Sequence, residues 1–153
     1  PVIYSLEWME NSPLARAEWI KLIAAFYDKK TLADSIFNDI ENRYKLVQQI
    51  ANKAEKRHTV MTGDIFQGTW YVPGGNSFNA TLYKDGKLNY YYENNELSGS
   101  IGLDIESVLT KFAEADLWFG CESDKYAELK AKDTKYLLFE PVKNKKVLII
   151  TTV

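Results

Sequence analysis

The chain has 153 residues, enough to bury one ordinary core, and its 46% hydrophobic and 26% charged content is that of a globular domain. No apolar run reaches the length of about 18 residues that a bilayer-spanning helix needs, and a net charge of −2, with Lys and Arg scattered among Asp and Glu, leaves no basic stripe for a nucleic-acid backbone. A single cysteine, Cys121, excludes an internal disulfide framework and a thiolate metal cluster, and says nothing of compartment.

The opening residues Pro1 to Leu6 lack the basic start and apolar run of a secretory signal. Together with the abrupt β-branched ending VLIITTV, this predicts a fragment or a processed product. Ser12-Pro13 is a helix start, with Ser as cap and Pro at the first helical position, and the helix is predicted to run to Phe26. Leu32, Ile36, Ile40, Val47, Ile50 and Ala54 then recur at helical spacing, which predicts one amphipathic helix over Lys29 to Ala54, about 39 Å long. That exceeds what the core of a small domain requires.

Beyond it, strand signals alternate with helix signals. Strands are predicted at His58 to Gly63, Asn89 to Tyr92, Asp116 to Gly120 and Lys146 to Thr152. Helices are predicted at Ser77 to Lys84, Ile105 to Ala113 and Asp124 to Lys132. The alternation implies an α/β fold, a three-layer Rossmann-like lobe with a mostly parallel sheet, preceded by the long helix.

Catalytic and metal signals are sparse. One histidine and one cysteine, His58 and Cys121, stand far apart in sequence, so the usual zinc ligand sets cannot form, and His58 beside Lys56-Arg57 reads as a surface residue. Gly74-Gly75 carries no phosphate-loop pattern and reads as a turn before a helix, with Asn76 or Ser77 as cap. More informative are Phe66, Trp70 and Tyr71, which follow the first strand, and the polar stretch Glu93 to Gly102, which follows the second. Ligands of parallel α/β sheets bind beyond the carboxyl ends of strands, so these two stretches form one wall of a cleft or, equally, Trp70 and Tyr71 pack on a neighbouring helix. Asp104 caps the helix at Ile105 and places Glu106 in its first turn, a stabilising position that also suits a docking charge.

The segments PLARAEWIKL, IFNDIENRY, TWYVPGGNSF and SGSIGLDIESVL resemble, in that order, the helical-backbone metal receptors, the class of periplasmic binding proteins that includes vitamin B12 and ferric-siderophore receptors. The resemblance covers nearly the whole chain. It implies three parts: residues 1–28, an N-terminal segment and first helix; residues 29–55, a connecting helix; and residues 56–153, a C-terminal lobe incomplete at its end. The family's N-terminal lobe and closing helix have no counterpart here. By the same resemblance the ligand-facing aromatic falls on Trp70 or Tyr71, with Phe66 beside it, and the second ligand-facing loop on Ser98 to Ile101. Ser100 stands where the family often has an aromatic, which removes direct stacking from this loop. The glutamate that engages the membrane permease falls on Glu106.

The implied function is the substrate-binding component of an ABC importer, not an enzyme. It requires no cofactor of its own, because the iron chelate, haem or corrinoid is cargo whose metal is ligated by the chelator. The implied partners are the ABC transporter permease and the chelate. The implied location is the periplasm or cell envelope, with membrane association through the permease or through a lipid anchor outside this chain, as in a lipoprotein. Two alternatives stand beside it: a carbohydrate-binding or other interaction module stacking sugars on Trp70, Tyr71 and Tyr90 to Tyr92, and a small α/β enzyme using Asp64, Glu96 or Asp104 as acid or base.

Overall fold

The computed structural model describes residues 2–121 and 126–148. After a short 3-10 turn at Glu7–Met9, helix α1 (Pro13–Ala25) starts at the predicted cap, where the Ser12 hydroxyl accepts from the Ala15 N–H at 3.3 Å. Helix α2 (Lys30–Ala51) follows as 22 residues, about 33 Å of helix, and packs along α1. Ala33 and Phe37 of α2 are buried. Much of its remaining apolar stripe is exposed, including Leu32, Val47 and Ile50.

Among the described residues, four parallel strands form the central sheet: β1 (Thr59–Thr62), β4 (Asn89–Tyr90), β6 (Leu117–Phe119) and β7 (Val147–Leu148), in the order β4-β1-β6-β7. Val60 and Met61 of β1 are buried on both faces, as a central parallel strand requires. Helices α3 (Phe78–Asp85), α4 (Ile105–Phe112), α5 (Tyr126–Lys132) and α6 (Glu140–Lys143) intervene between strands, with a 3-10 turn at Thr134–Leu138. The predicted strand to Thr152 and the start of the predicted helix at Asp124 extend outside the described residues. Tyr90 to Tyr92 does not form a central strand. Asn89–Tyr90 is a sheet edge, Tyr90 is buried, and Tyr91 is in a turn with 60% of its surface exposed.

The sequence reading missed a second sheet. Strands β2 (Ile65–Phe66), β3 (Thr69–Pro73) and β5 (Ser100–Leu103) pair antiparallel in the order β2-β3-β5. The two-residue turn Gln67-Gly68 has positive φ at both positions (50° and 82°), the geometry that lets a hairpin follow the natural strand twist. Gly63 starts the excursion at φ 84°, and a Cβ there would lie 1.9 Å from the Tyr71 carbonyl oxygen. Gly74 and Gly75 are needed for closeness, since a Cβ at either would lie 2.2 Å from a carbonyl oxygen of the segment 92–97. Ser77 caps α3, accepting from the Ala80 N–H at 3.2 Å.

The core between the sheets and helices is aromatic. Trp70 lies with its ring centroid 5.4 Å from Trp118, 5.6 Å from Tyr136 and 5.8 Å from Phe139. The two indole N–H groups donate to the last carbonyls of β1 and its exit, Trp70 to Thr62 at 2.9 Å and Trp118 to Gly63 at 3.0 Å. Asp64, side chain 4% exposed, locks the hairpin base: its carboxylate accepts from Tyr136 Oη (2.8 Å), Lys132 Nζ (2.9 Å) and the Ile65 N–H (2.8 Å). Burial, and then the Asp64 charge, push the Tyr136 hydroxyl well above its ordinary pKa.

Candidate functional site

In a parallel sheet every strand exits at one edge, and here that edge gathers the hairpin after β1, the loop after β4 and the starts of α3 and α4. Alternation along β3 decides which side chains reach the surface. Trp70 and Val72 point inward and are buried, while Tyr71, 44% exposed, points outward. The expectation that Trp70 contacts ligand is therefore corrected: it is 0% exposed, its N–H is used by Thr62, and its place is the core. Phe66 pairs with Thr69 across the hairpin and shares the outward face with Tyr71; it is 64% exposed.

Register brings β5 into the same surface. Tyr71 stands opposite Gly102, and Pro73 opposite Ser100. A Cβ on Gly102 would lie 3.0 Å from Thr69 Cγ2 and in ordinary contact, 3.7 Å, with Tyr71 Cε1, so the tight neighbour at this position is Thr69. Ser98 and Ser100 are exposed and line a groove of about 260 Å³ with Trp8, Arg16, Phe78 and Asn79. Its volume falls below the roughly 300 Å³ at which pockets begin to enclose a drug-sized ligand. It is one wall of a site, and Phe66 and Tyr71 extend that wall without lining the groove.

Trp8, Arg16 and Asn79 did not emerge from the sequence. Trp8 is 66% exposed on the first 3-10 turn. Arg16 lies in the first turns of α1, with its guanidinium 5.1 Å from the Phe78 ring centroid of α3. Nothing local in the sequence signals this, because it depends on α1 packing beside α3.

Asp104 caps α4 as expected, accepting from the Ser107 N–H at 2.7 Å and Ser107 Oγ at 2.9 Å, and these bonds hold its carboxyl below the usual carboxylate range. Glu106 sits in the first turn of α4 with its side chain 69% exposed, in an ion pair with Lys135 (2.7 Å) that lowers its pKa. The carboxylates of the enzymatic alternative do not converge on a common point: Asp64 is fully engaged in the core, Asp104 is a cap, and Glu96 is an exposed loop residue. His58 lies at the opposite edge of the sheet, with Nδ1 3.4 Å from Asp116. Among the described residues no group of three His, Cys, Asp or Glu side chains could hold a metal ion, and no helix is long and apolar enough to cross a membrane.

Residues 4–152 match the periplasmic binding protein family. An uncharacterized lipoprotein of Methanocaldococcus jannaschii is 32% identical over 146 residues, 92% of this chain and 34% of that protein. A second, uncharacterized protein of the same organism is 27% identical over 149 residues, 94% of this chain and 45% of its own length. The chain thus spans less than half the length of these two relatives. Among solved structures, a possible iron-binding periplasmic solute-binding protein of Staphylococcus epidermidis superposes with TM-score 0.70 at 15% identity, over 90% of this chain and 53% of the other. S. aureus IsdE complexed with heme gives 0.68 at 17% identity, over 89% and 54%. The siderophore-binding protein FeuA of Bacillus subtilis, complexed with ferri-bacillibactin, gives 0.64 at 22% identity, over 87% and 50%. These similarities establish the fold.

Proposed function

The chain belongs to the periplasmic binding protein family, and from that premise we propose that it is part of the substrate-binding component of an ABC importer for a metal chelate: a ferric siderophore, haem or a corrinoid. The observation that carries this reading is the outward aromatic and hydroxyl wall at the carboxyl edge of the sheet. Phe66 and Tyr71 present exposed aromatic surface, Ser98 and Ser100 present hydroxyls, and Trp70 lies buried behind the wall. Rings suit the flat face of a porphyrin or aromatic chelator, and a few placed polar groups fix its orientation. Binding leaves the cargo chemically unchanged.

Residues 56–153 act as the C-terminal lobe, and α2 acts as the stiff connector to a second lobe that closes the cleft. The exposed apolar face of α1 and α2 supports that division. Ile23, Tyr27, Leu32 and Ile36 border an apolar groove of about 220 Å³, and Phe26, Val47 and Ile50 are each at least 60% exposed. A patch this apolar normally marks an interaction surface. Glu106, on a rigid helix start, is the charge that docks on a basic pocket of the permease, with its Lys135 partner exchanged for the permease cation. The protein works outside the cytoplasm, at the cell envelope, held there as a lipoprotein like its M. jannaschii relative.

The test is titration of the protein with haem, a corrinoid and several ferric siderophores, followed by quenching of tryptophan fluorescence corrected for ligand absorbance. Saturable quenching by one class, weakened by Tyr71→Ala, is expected. No saturable response to any of them, with saturable binding of an oligosaccharide instead, replaces the importer reading with the sugar-stacking one.

A further inference from the structure

The groove beside Ser98 and Ser100 holds the guanidinium of Arg16. Arg16 is exposed, its guanidinium is seated over the Phe78 ring at 5.1 Å, and among the described residues its side chain makes no ion pair or hydrogen bond. Two carboxylates lie nearby. Glu10, on the groove wall, accepts from Trp19 Nε1 at 3.0 Å. Glu7 accepts from the Ser5 hydroxyl and feels the Arg16 charge without forming a bridge. The cation–π contact with Phe78 engages the face of the guanidinium and leaves its N–H donors available to a planar acceptor.

Resting on the chelate-binding reading, we propose that Arg16 is the anion-recognition residue of this groove and that the cargo presents a carboxylate to it, flanked by donors from Asn79, Ser98 and Ser100. The guanidinium of Arg16 carries one positive charge and so matches a single negative charge on the cargo. A carboxylate fits that balance and matches the fork with two parallel hydrogen bonds, whereas a phosphate dianion would remain half compensated. The cargo class is therefore the carboxylate-bearing chelates, in preference to uncharged hydroxamate chelates.

Iron protoporphyrin IX and its dimethyl ester differ by the methylation that removes the charge of two carboxylates, and ferric citrate and the uncharged cyclic trihydroxamate ferrioxamine E extend the comparison. In fluorescence titrations the free-acid porphyrin or ferric citrate is expected to bind at least about tenfold more tightly than its uncharged counterpart, since charge-assisted hydrogen bonds are worth a ten- to hundredfold change. Arg16→Ala removes that preference, and Arg16→Lys restores it in part. Equal binding of acid and ester, or an Arg16→Ala variant that still distinguishes them, overturns the proposal. If no chelate binds, the Arg16 Nε–H resonance decides in a titration with citrate alone. A saturable shift keeps the anion site while the chelate reading fails, and an unmoved resonance overturns the anion site itself.

Discussion

Trp70→Ala separates the core from the ligand wall more cleanly than any other single change. The side chain is 0% exposed and touches Trp118, Tyr136 and Phe139. Removing a buried tryptophan costs about 3–5 kcal/mol in transfer and cavity terms. The Thr62 carbonyl, which accepts the indole N–H at 2.9 Å, is then left unpaired, adding about 1 kcal/mol or more. The expected loss of about 4–6 kcal/mol is a large fraction of the 5–15 kcal/mol typical of a domain. Trp70→Phe keeps a ring and loses the donor, for an expected loss of about 1–2 kcal/mol. Tyr71→Ala, one residue along and outward, should stay within about 1 kcal/mol of the parent while weakening chelate binding. Urea unfolding followed by far-ultraviolet circular dichroism measures all three without relying on the deleted fluorophore. A Trp70→Ala protein as stable as the parent would refute the assignment of Trp70 to the core.

Four further outcomes are expected. Asp116 accepts from the Thr59 N–H (2.9 Å), Thr59 Oγ1 and Lys56, which depress its pKa from 3.8 to about 2. Because the folded value is the lower one, its stabilisation is complete above pH 3.8 and is lost as pH falls towards 2; Asp116→Asn should flatten that part of a urea-midpoint against pH curve. Gly63→Ala, with a Cβ 1.9 Å from the Tyr71 carbonyl, should cost more than about 2 kcal/mol, whereas Gly68→Ala, with nothing within 4 Å, should cost about 1 kcal/mol for its positive φ alone; thermal melts compare the two. Glu106→Gln should leave chelate affinity unchanged and reduce retention on permease-containing proteoliposomes. The apolar face of α1 and α2 should drive concentration-dependent association of this chain in light scattering, reduced by Val47→Lys with Ile50→Lys, and a constant monomer mass would contradict it.

Local chemistry was legible in the sequence. The caps Ser12, Ser77 and Asp104 and the helices they start follow from bonds within three residues, and the period of α2 follows from its own apolar spacing. The parallel strands after it were legible for the same reason, since each is a short β-branched or aromatic run between turns. What the sequence did not disclose was non-local pairing. The stretch after β1 looked like a loop because β2 and β3 are short and β5, the second partner of β3, lies about 30 residues downstream. That missed sheet decided which of Trp70 and Tyr71 faces solvent, since a pleated strand sends neighbours to opposite sides. Gly74 and Gly75 showed the same limit: a turn was readable, but the backbone pressed against them was not. The sequence by itself determined the helices and their caps, the parallel strands, the family and the helix-start carboxylates. Only the tertiary structure could place Trp70 in the core and bring Arg16 to Ser98 and Ser100, because both depend on contacts between segments that no local pattern encodes.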